Sequence, residues 1–201
     1  MAFAKIHLAL LIVSISILFA PTTHALFAPI THAVGRGGHL ATQTHIFKMC
    51  KPTSYPLLCY KTLLPKALVT PRFNIHRALE VEVQAAQTQV IKTVTSIETH
   101  LSKPGTSKDT VDCLVICKDQ FSMIVDSVTE AVTALSKRNV GEVQYQLSAV
   151  VSYYLSCNLG FEESEITSPI ADDAKAVNDL STNCLDLAKA IVNKSGKVRS
   201  A

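Results

Sequence analysis

The chain has 201 residues, 48% hydrophobic and 17% charged, with a formal net charge of +3. So small a charge, with no basic stretch interleaved with aromatics, points to neither nucleic acid nor an anionic membrane as partner. The length suits one domain with a core of its own.

At the amino terminus Lys5 supplies a positive start and Ile6 to Ala20 an apolar run too short for a membrane span. This is the pattern of a signal peptide over residues 1–25. Thr23-His24-Ala25 offers the best cleavage site, with Ala20 and Ala33 as alternatives. Cleavage after Ala25 removes Lys5 and no acidic residue, so the charge falls from +3 to +2. The leader duplicates itself, Leu18-Phe-Ala-Pro-Thr-Thr-His-Ala25 being followed by Leu26-Phe-Ala-Pro-Ile-Thr-His-Ala33. A local duplication explains the copy better than a His-containing metal tract. Gly35-Arg36-Gly37-Gly38 lacks both a preceding strand and the Lys-Ser/Thr ending of a phosphate loop, and residues 26–44 read as a flexible linker.

Residues 44–70 contain Pro52, Pro56 and Pro65 and cannot form one continuous helix, so a hairpin of short helices is expected. Beyond Phe73 apolar residues recur every three or four positions. Leu79, Val83, Ala86, Val90, Val94, Ile97 and Leu101 predict a long helix ended by Lys103-Pro104-Gly105. Leu114, Cys117, Phe121, Ile124, Val128, Ala131 and Leu135 predict a second, from Ser107–Asp109 to Arg138-Asn139. Val143, Leu147, Val150, Tyr154, Cys157 and Phe161 predict a shorter third helix. The fourth opens with Ser168 as N-cap, Pro169, and Asp172 and Asp173 at the positive end of the dipole. It runs Ile170, Ala174, Val177, Leu180, Cys184, Leu187 and Ile191. The expected fold is all-α: an antiparallel up-and-down four-helix bundle with an N-terminal helical hairpin, over residues 45–195, with a tail at 196–201.

Six cysteines in an exported chain argue for disulfides. Cys50 and Cys59 bracket eight residues with two prolines, so a bridge would staple the hairpin. Cys113 lies near the start of the second bundle helix and Cys157 near the end of the third, at one height in an antiparallel pair. The predicted bridges are therefore Cys50–Cys59 and Cys113–Cys157. That leaves Cys117 and Cys184, on diagonal helices, as buried thiols in preference to a third bridge between them; Cys113 and Cys117 share a helix face, which invites mispairing with Cys157. The spacing does not suit zinc, and no metal or other cofactor is expected.

No nucleophile stands beside a base. G-x-S-x-G is missing, and His76 and His100 lie at opposite ends of one helix. The carboxylate groups Glu80/Glu82, Glu162/Glu163/Glu165 and Asp172/Asp173 do not suggest acid–base catalysis. Asn193-Lys194-Ser195 is a glycosylation acceptor.

With these residues in view, the chain resembles the plant invertase and pectin methylesterase inhibitor family over roughly residues 45–195. The resemblance is carried by Cys50-x8-Cys59, Val111-Asp112-Cys113, Gly141-Glu-Val143 leading to Leu147-Ser148-Ala149, and Ser156-Cys157 followed by Gly160-Phe161-Glu162-Glu163. Asn183-Cys184-Leu185 in the closing helix completes it. It implies an asymmetric four-helix bundle with a hairpin, the two bridges above, and an unpaired Cys184. Cys117 departs from the pattern, standing where the family more often has an aromatic residue.

The resemblance further implies a secreted inhibitor of the plant cell wall that is not an enzyme. It would be a monomer that forms a one-to-one complex with pectin methylesterase and covers its pectin cleft with the second and third bundle helices. Gln120, Met123, Gln144, Ser148 and Ser152 are the candidate contacts; an ordinary solvated helix face is the plainer reading of them. Acid invertase is the alternative target. Lys137-Arg138-Asn139-Val140-Gly141 stands where cell-wall invertase inhibitors often carry a Pro-Lys-Phe turn, which favours the esterase. Against the esterase inhibitors' usual pattern, Gln146 replaces a Trp before Leu-Ser-Ala, and Ser152 a Thr. A small-molecule or lipid carrier is a remote alternative, since the plant lipid-transfer scaffold needs eight cysteines with an adjacent pair. Pectin methylesterases themselves carry a similar pro-segment, but a free-standing inhibitor is the preferred reading.

Overall fold

In a computed structural model that describes residues 36–199, the chain forms six helices and, among those residues, no strand. They are α1 (Arg36–Cys50), α2 (Pro56–Ala67), α3 (Ile75–Leu101), α4 (Lys108–Ser136), α5 (Val140–Glu163) and α6 (Ala171–Arg199). The expected signal peptide, its cleavage sites and the duplicated segment lie outside the described residues.

Helices α3 to α6 form the bundle. Each packs on its neighbours in sequence and α6 closes back onto α3, so α4 and α6 stand diagonally. Helices α1 and α2 form the hairpin, and α2 rests on α3 and α6. Polar side chains cap the bundle helices: Ser107 opens α4 as predicted, α6 begins at Ala171, two residues later than predicted, and Asn74 caps α3 without having been predicted. Asn74 accepts from the N–H groups of His76 and Arg77, each at 3.1 Å, and Ser107 from Thr110 N–H at 3.2 Å. Ser168 accepts from Ile170 N–H at 3.3 Å. Such caps satisfy donors that have no partner inside a helix.

One expectation gives way at the hairpin. Residues 36–44, read as linker, form the first turns of α1. Glycines weaken a helix least at its start, and burial of Ile46 and Cys50 anchors the turns that follow. The expected break between short helices falls at residues 51–55, with Pro56 at the first position of α2 and Pro65 in its last turn. At the other end of the chain, α6 continues to Arg199 through part of the expected tail.

The core has two strata. At the hairpin end Ile46, Leu63, Leu79, Val83, Leu147 and Leu187 pack together with Cys50 and Cys59. Farther along, Ile97, Leu114, Phe121, Val150, Phe161 and Val177 fill the bundle. Those on α3 to α6 sit on the predicted stripes, whereas Ile46, Leu63, Cys50 and Cys59 belong to the hairpin. The hairpin is fastened to α6 by polar contacts as well. Tyr55 N–H donates to Asn183 Oδ1 at 2.9 Å and Asn183 Nδ2 to the Tyr55 carbonyl at 3.1 Å. Both the N–H and the hydroxyl of Ser54 donate to Asp186 at 2.7 Å.

Cys50 is joined to Cys59. The second bridge corrects the sequence reading: Cys117, not Cys113, is joined to Cys157, with Cα atoms 4.5 Å apart, and Cys113 and Cys184 are the buried free thiols. The prediction assumed that α4 and α5 end flush. Instead Cys113 faces the last turn of α5, donating to the Gly160 carbonyl at 3.3 Å and to Ser164 Oγ at 3.5 Å. The start of α4 thus projects about one turn past the end of α5, and Cys157 meets the next cysteine along.

The outer face of the α4–α5 pair

A tight joint aligns α4 and α5. Arg138 adopts a left-handed conformation (φ 55°), and Asn139 N–H reaches back to the Ala134 carbonyl at 2.9 Å, the closing bond of a helix C-terminus. The side chain of the same Asn139 accepts from Glu142 N–H at 3.1 Å and opens α5. One residue therefore ends one helix and starts the next, which leaves no slack at this end; Cys117–Cys157 fixes the pair toward the other. What this rigid pair presents outward is set by sequence alone.

On α4 the core positions are Cys113, Leu114, Cys117, Phe121, Ile124 and Val128. Ile116, Gln120 and Met123 follow each other at helical spacing beside that stripe, and Ile116 lies against Gly160, so this row borders α5. Met123 is exposed and Gln120 half-buried. On α5 Gln144, Ser148 and Ser152 also form one row: Ser148 Oγ donates to the Gln144 carbonyl at 2.9 Å and Ser152 Oγ to the Ser148 carbonyl at 3.1 Å. Ser156 extends it, donating to the Ser152 carbonyl at 3.2 Å. Gln144 is half-buried, the serines exposed. The five predicted residues thus lie in two rows, one on each helix.

The sequence reading missed the apolar part of this face. Ile116 is 45% exposed, Leu155 56%, Leu159 49% and Tyr145 70%. Their signal was present: apolar side chains that fall off the core stripe. At the end of the pair a groove of about 200 Å³ is lined by Asp109, Asp112, Ile116, Ser164 and Ile166, with Cys113 at its wall. Glu162, Glu163 and Glu165 are exposed nearby in sequence, so an apolar and hydroxyl-bearing face runs toward an acidic end. Such a surface can bind a large partner; it offers no nucleophile with an adjacent base.

The residues weighed for chemistry lie elsewhere and apart. A groove of about 310 Å³ beside the start of α3 holds His76 with Asn74, Arg77, Glu80 and Arg138, and neither serine nor cysteine. Glu80 pairs with Arg77, whereas Glu82 is buried: two positions apart on a helix, they point to different sides. Asp173 helps to join α6 to α3, its carboxylate meeting Lys92 at 2.7 Å. Asn193 is exposed on α6. Among the described residues no three His, Cys, Asp or Glu side chains gather as a metal site would require. None of the described helices is long and apolar enough to cross a membrane.

Comparison with known proteins agrees with this architecture. A family profile described as plant invertase/pectin methylesterase inhibitor matches residues 44–187. Two curated Arabidopsis thaliana proteins are similar: probable pectinesterase/pectinesterase inhibitor 13 (29% identity over 165 residues) and putative pectinesterase/pectinesterase inhibitor 26 (22% over 170). Each match takes in 75% of this chain but only 25% and 17% of the relative, so the chain corresponds to a minor part of their length. Among solved structures, a mutant form of a pectin methylesterase inhibitor from Arabidopsis superposes with a TM-score of 0.62 at 13% identity, covering 72% of this chain and 95% of that one. A pectin methylesterase inhibitor from Arabidopsis thaliana gives 0.56 at 15%, covering 73% and 95%.

Proposed function

We propose that this chain, a member of the plant invertase/pectin methylesterase inhibitor family, acts as an inhibitor of pectin methylesterase rather than as an enzyme. In this reading the protein is secreted to the cell wall as a monomer and forms a one-to-one complex with the enzyme. The outer face of α4 and α5 closes the cleft that takes the polysaccharide, so inhibition is steric. The observation that supports the face most is its composition: a rigid helix pair with exposed Ile116, Met123, Leu155 and Leu159 beside a serine row, joined by a bridge and a capped turn. Apolar side chains on a preorganised surface lose little freedom on binding, which favours association.

Titrating the purified protein into a pectin methylesterase and into an acid invertase, and following residual activity, tests the reading. Stoichiometric loss of ester hydrolysis with invertase untouched is expected. Inhibition of invertase alone would transfer the proposal to the other branch of the family.

A further inference from the structure

One buried group plays no part in the face just described. Both carboxylate oxygens of Glu82, and the hydroxyl of Ser181, are buried without a hydrogen-bond partner. The register of α3 and α6 places them together. Thr93 donates its hydroxyl to the Asp173 carbonyl at 3.2 Å; the helices are antiparallel, so eleven residues back along α3 and eleven forward along α6 bring Glu82 level with Cys184. Ser181 lies one turn before Cys184 on the same buried side. A charge on Glu82 is felt by that thiol, which burial first and the Glu82 charge second push well above its ordinary range.

Among the described residues no charge offsets one on Glu82, on which burial alone acts. Cys184 is the titratable group facing Glu82 from α6; Asp186 is turned to Ser54, and Lys175 and Asp179 pair with each other. The charged residues of the other packed elements, Lys61 and Lys66 on α2 and Glu130 on α4, are exposed, and on α3 itself Glu80 is held by Arg77. The residues flanking this stratum are Asn183 and Asp186, the two that fasten the hairpin.

We infer that Glu82 is a proton-controlled lock on the hairpin end of the bundle: with its carboxyl neutral the α3–α6 seam closes and the hairpin docks, and its ionisation loosens both. Burial raises the Glu82 carboxyl from 4.5 to about 8, so the folded chain holds this proton more tightly than the unfolded one. The stabilisation is complete below the unfolded value, declines through neutral pH, and is lost above the folded one. Across that window the folding equilibrium weakens about tenfold per pH unit, the slope of one linked proton. The effect holds whichever enzyme the face meets.

Amide exchange of wild type and Glu82→Gln at pH 5 and pH 8, corrected for intrinsic rates, tests this. In wild type, residues 51–60 and 181–187 should lose at least about tenfold in protection at pH 8; in Glu82→Gln they should not. Parallel behaviour of the two proteins, or loss confined to α4 and α5, would overturn the lock. If Glu82→Gln does not fold, wild type decides alone: an infrared carbonyl band of a protonated carboxylic acid should persist at pH 6.5 and vanish toward pH 9. Its absence at pH 6.5 overturns the inference.

Discussion

Cys117 and Cys113 differ by one helical turn, and that turn separates a bridge from a thiol. Replacing Cys113 by Ser keeps a donor for the Gly160 carbonyl, so non-reducing peptide mapping should still find Cys50–Cys59 and Cys117–Cys157, and urea unfolding a loss of no more than about 1 kcal/mol. Replacing Cys117 should cost about 2–4 kcal/mol by the same measurement. A Cys113–Cys157 peptide in the wild-type map would contradict both expectations. The sequence made six cysteines visible but not this choice, because helix periodicity tells which side a residue faces and not where two helices stop relative to each other. Glu82 hid in a similar way. Grouped with Glu80 as one of several paired carboxylates in the sequence, it is a core residue once α6 lies against it.

The helices of the bundle were legible because caps, breakers and stripes agree. Gly105, Ser107 and Ser168 mark joints that the structure keeps, to within two residues at the start of α6. The start of α1 was not, since its glycines signal a linker and only packing against α2 overrides them. Contacts between elements add a second layer that no local pattern encodes. Asn183→Ala removes both bonds to Tyr55 and leaves its N–H without a partner, while its carbonyl keeps the Cys59 N–H at 3.0 Å; a loss of about 1–3 kcal/mol is expected by urea unfolding, with faster amide exchange over residues 51–60. Asp173 works in the opposite pH range to Glu82. Its bond to Lys92 above all lowers its carboxyl, so its stabilisation is present above the ordinary aspartate value and is lost as pH falls through the lowered one. Urea midpoints between pH 2 and pH 5 should therefore fall more steeply for wild type than for Asp173→Asn; equal slopes would count against the contact.

For the whole molecule, the bundle gives a face its shape and the sequence gives that face its character. The candidate site was half legible. Gln120, Met123, Gln144, Ser148 and Ser152 were placed on two helices by resemblance, and the structure sets those helices side by side. Ile116, Leu155 and Leu159 stayed hidden because the stripes were read only for what they bury. Charge or bulk at the centre of the face should weaken binding without weakening the fold: Met123→Lys and Ser152→Arg, both exposed, should each raise the inhibition constant about tenfold or more while shifting the urea midpoint little. Protection of amides on adding pectin methylesterase is the measurement closest to the claim. Slowed exchange confined to the outward rows of α4 and α5, saturating at one inhibitor per enzyme, is predicted. Protection centred on the α1–α2 hairpin, or no protection anywhere at saturating enzyme, would contradict it.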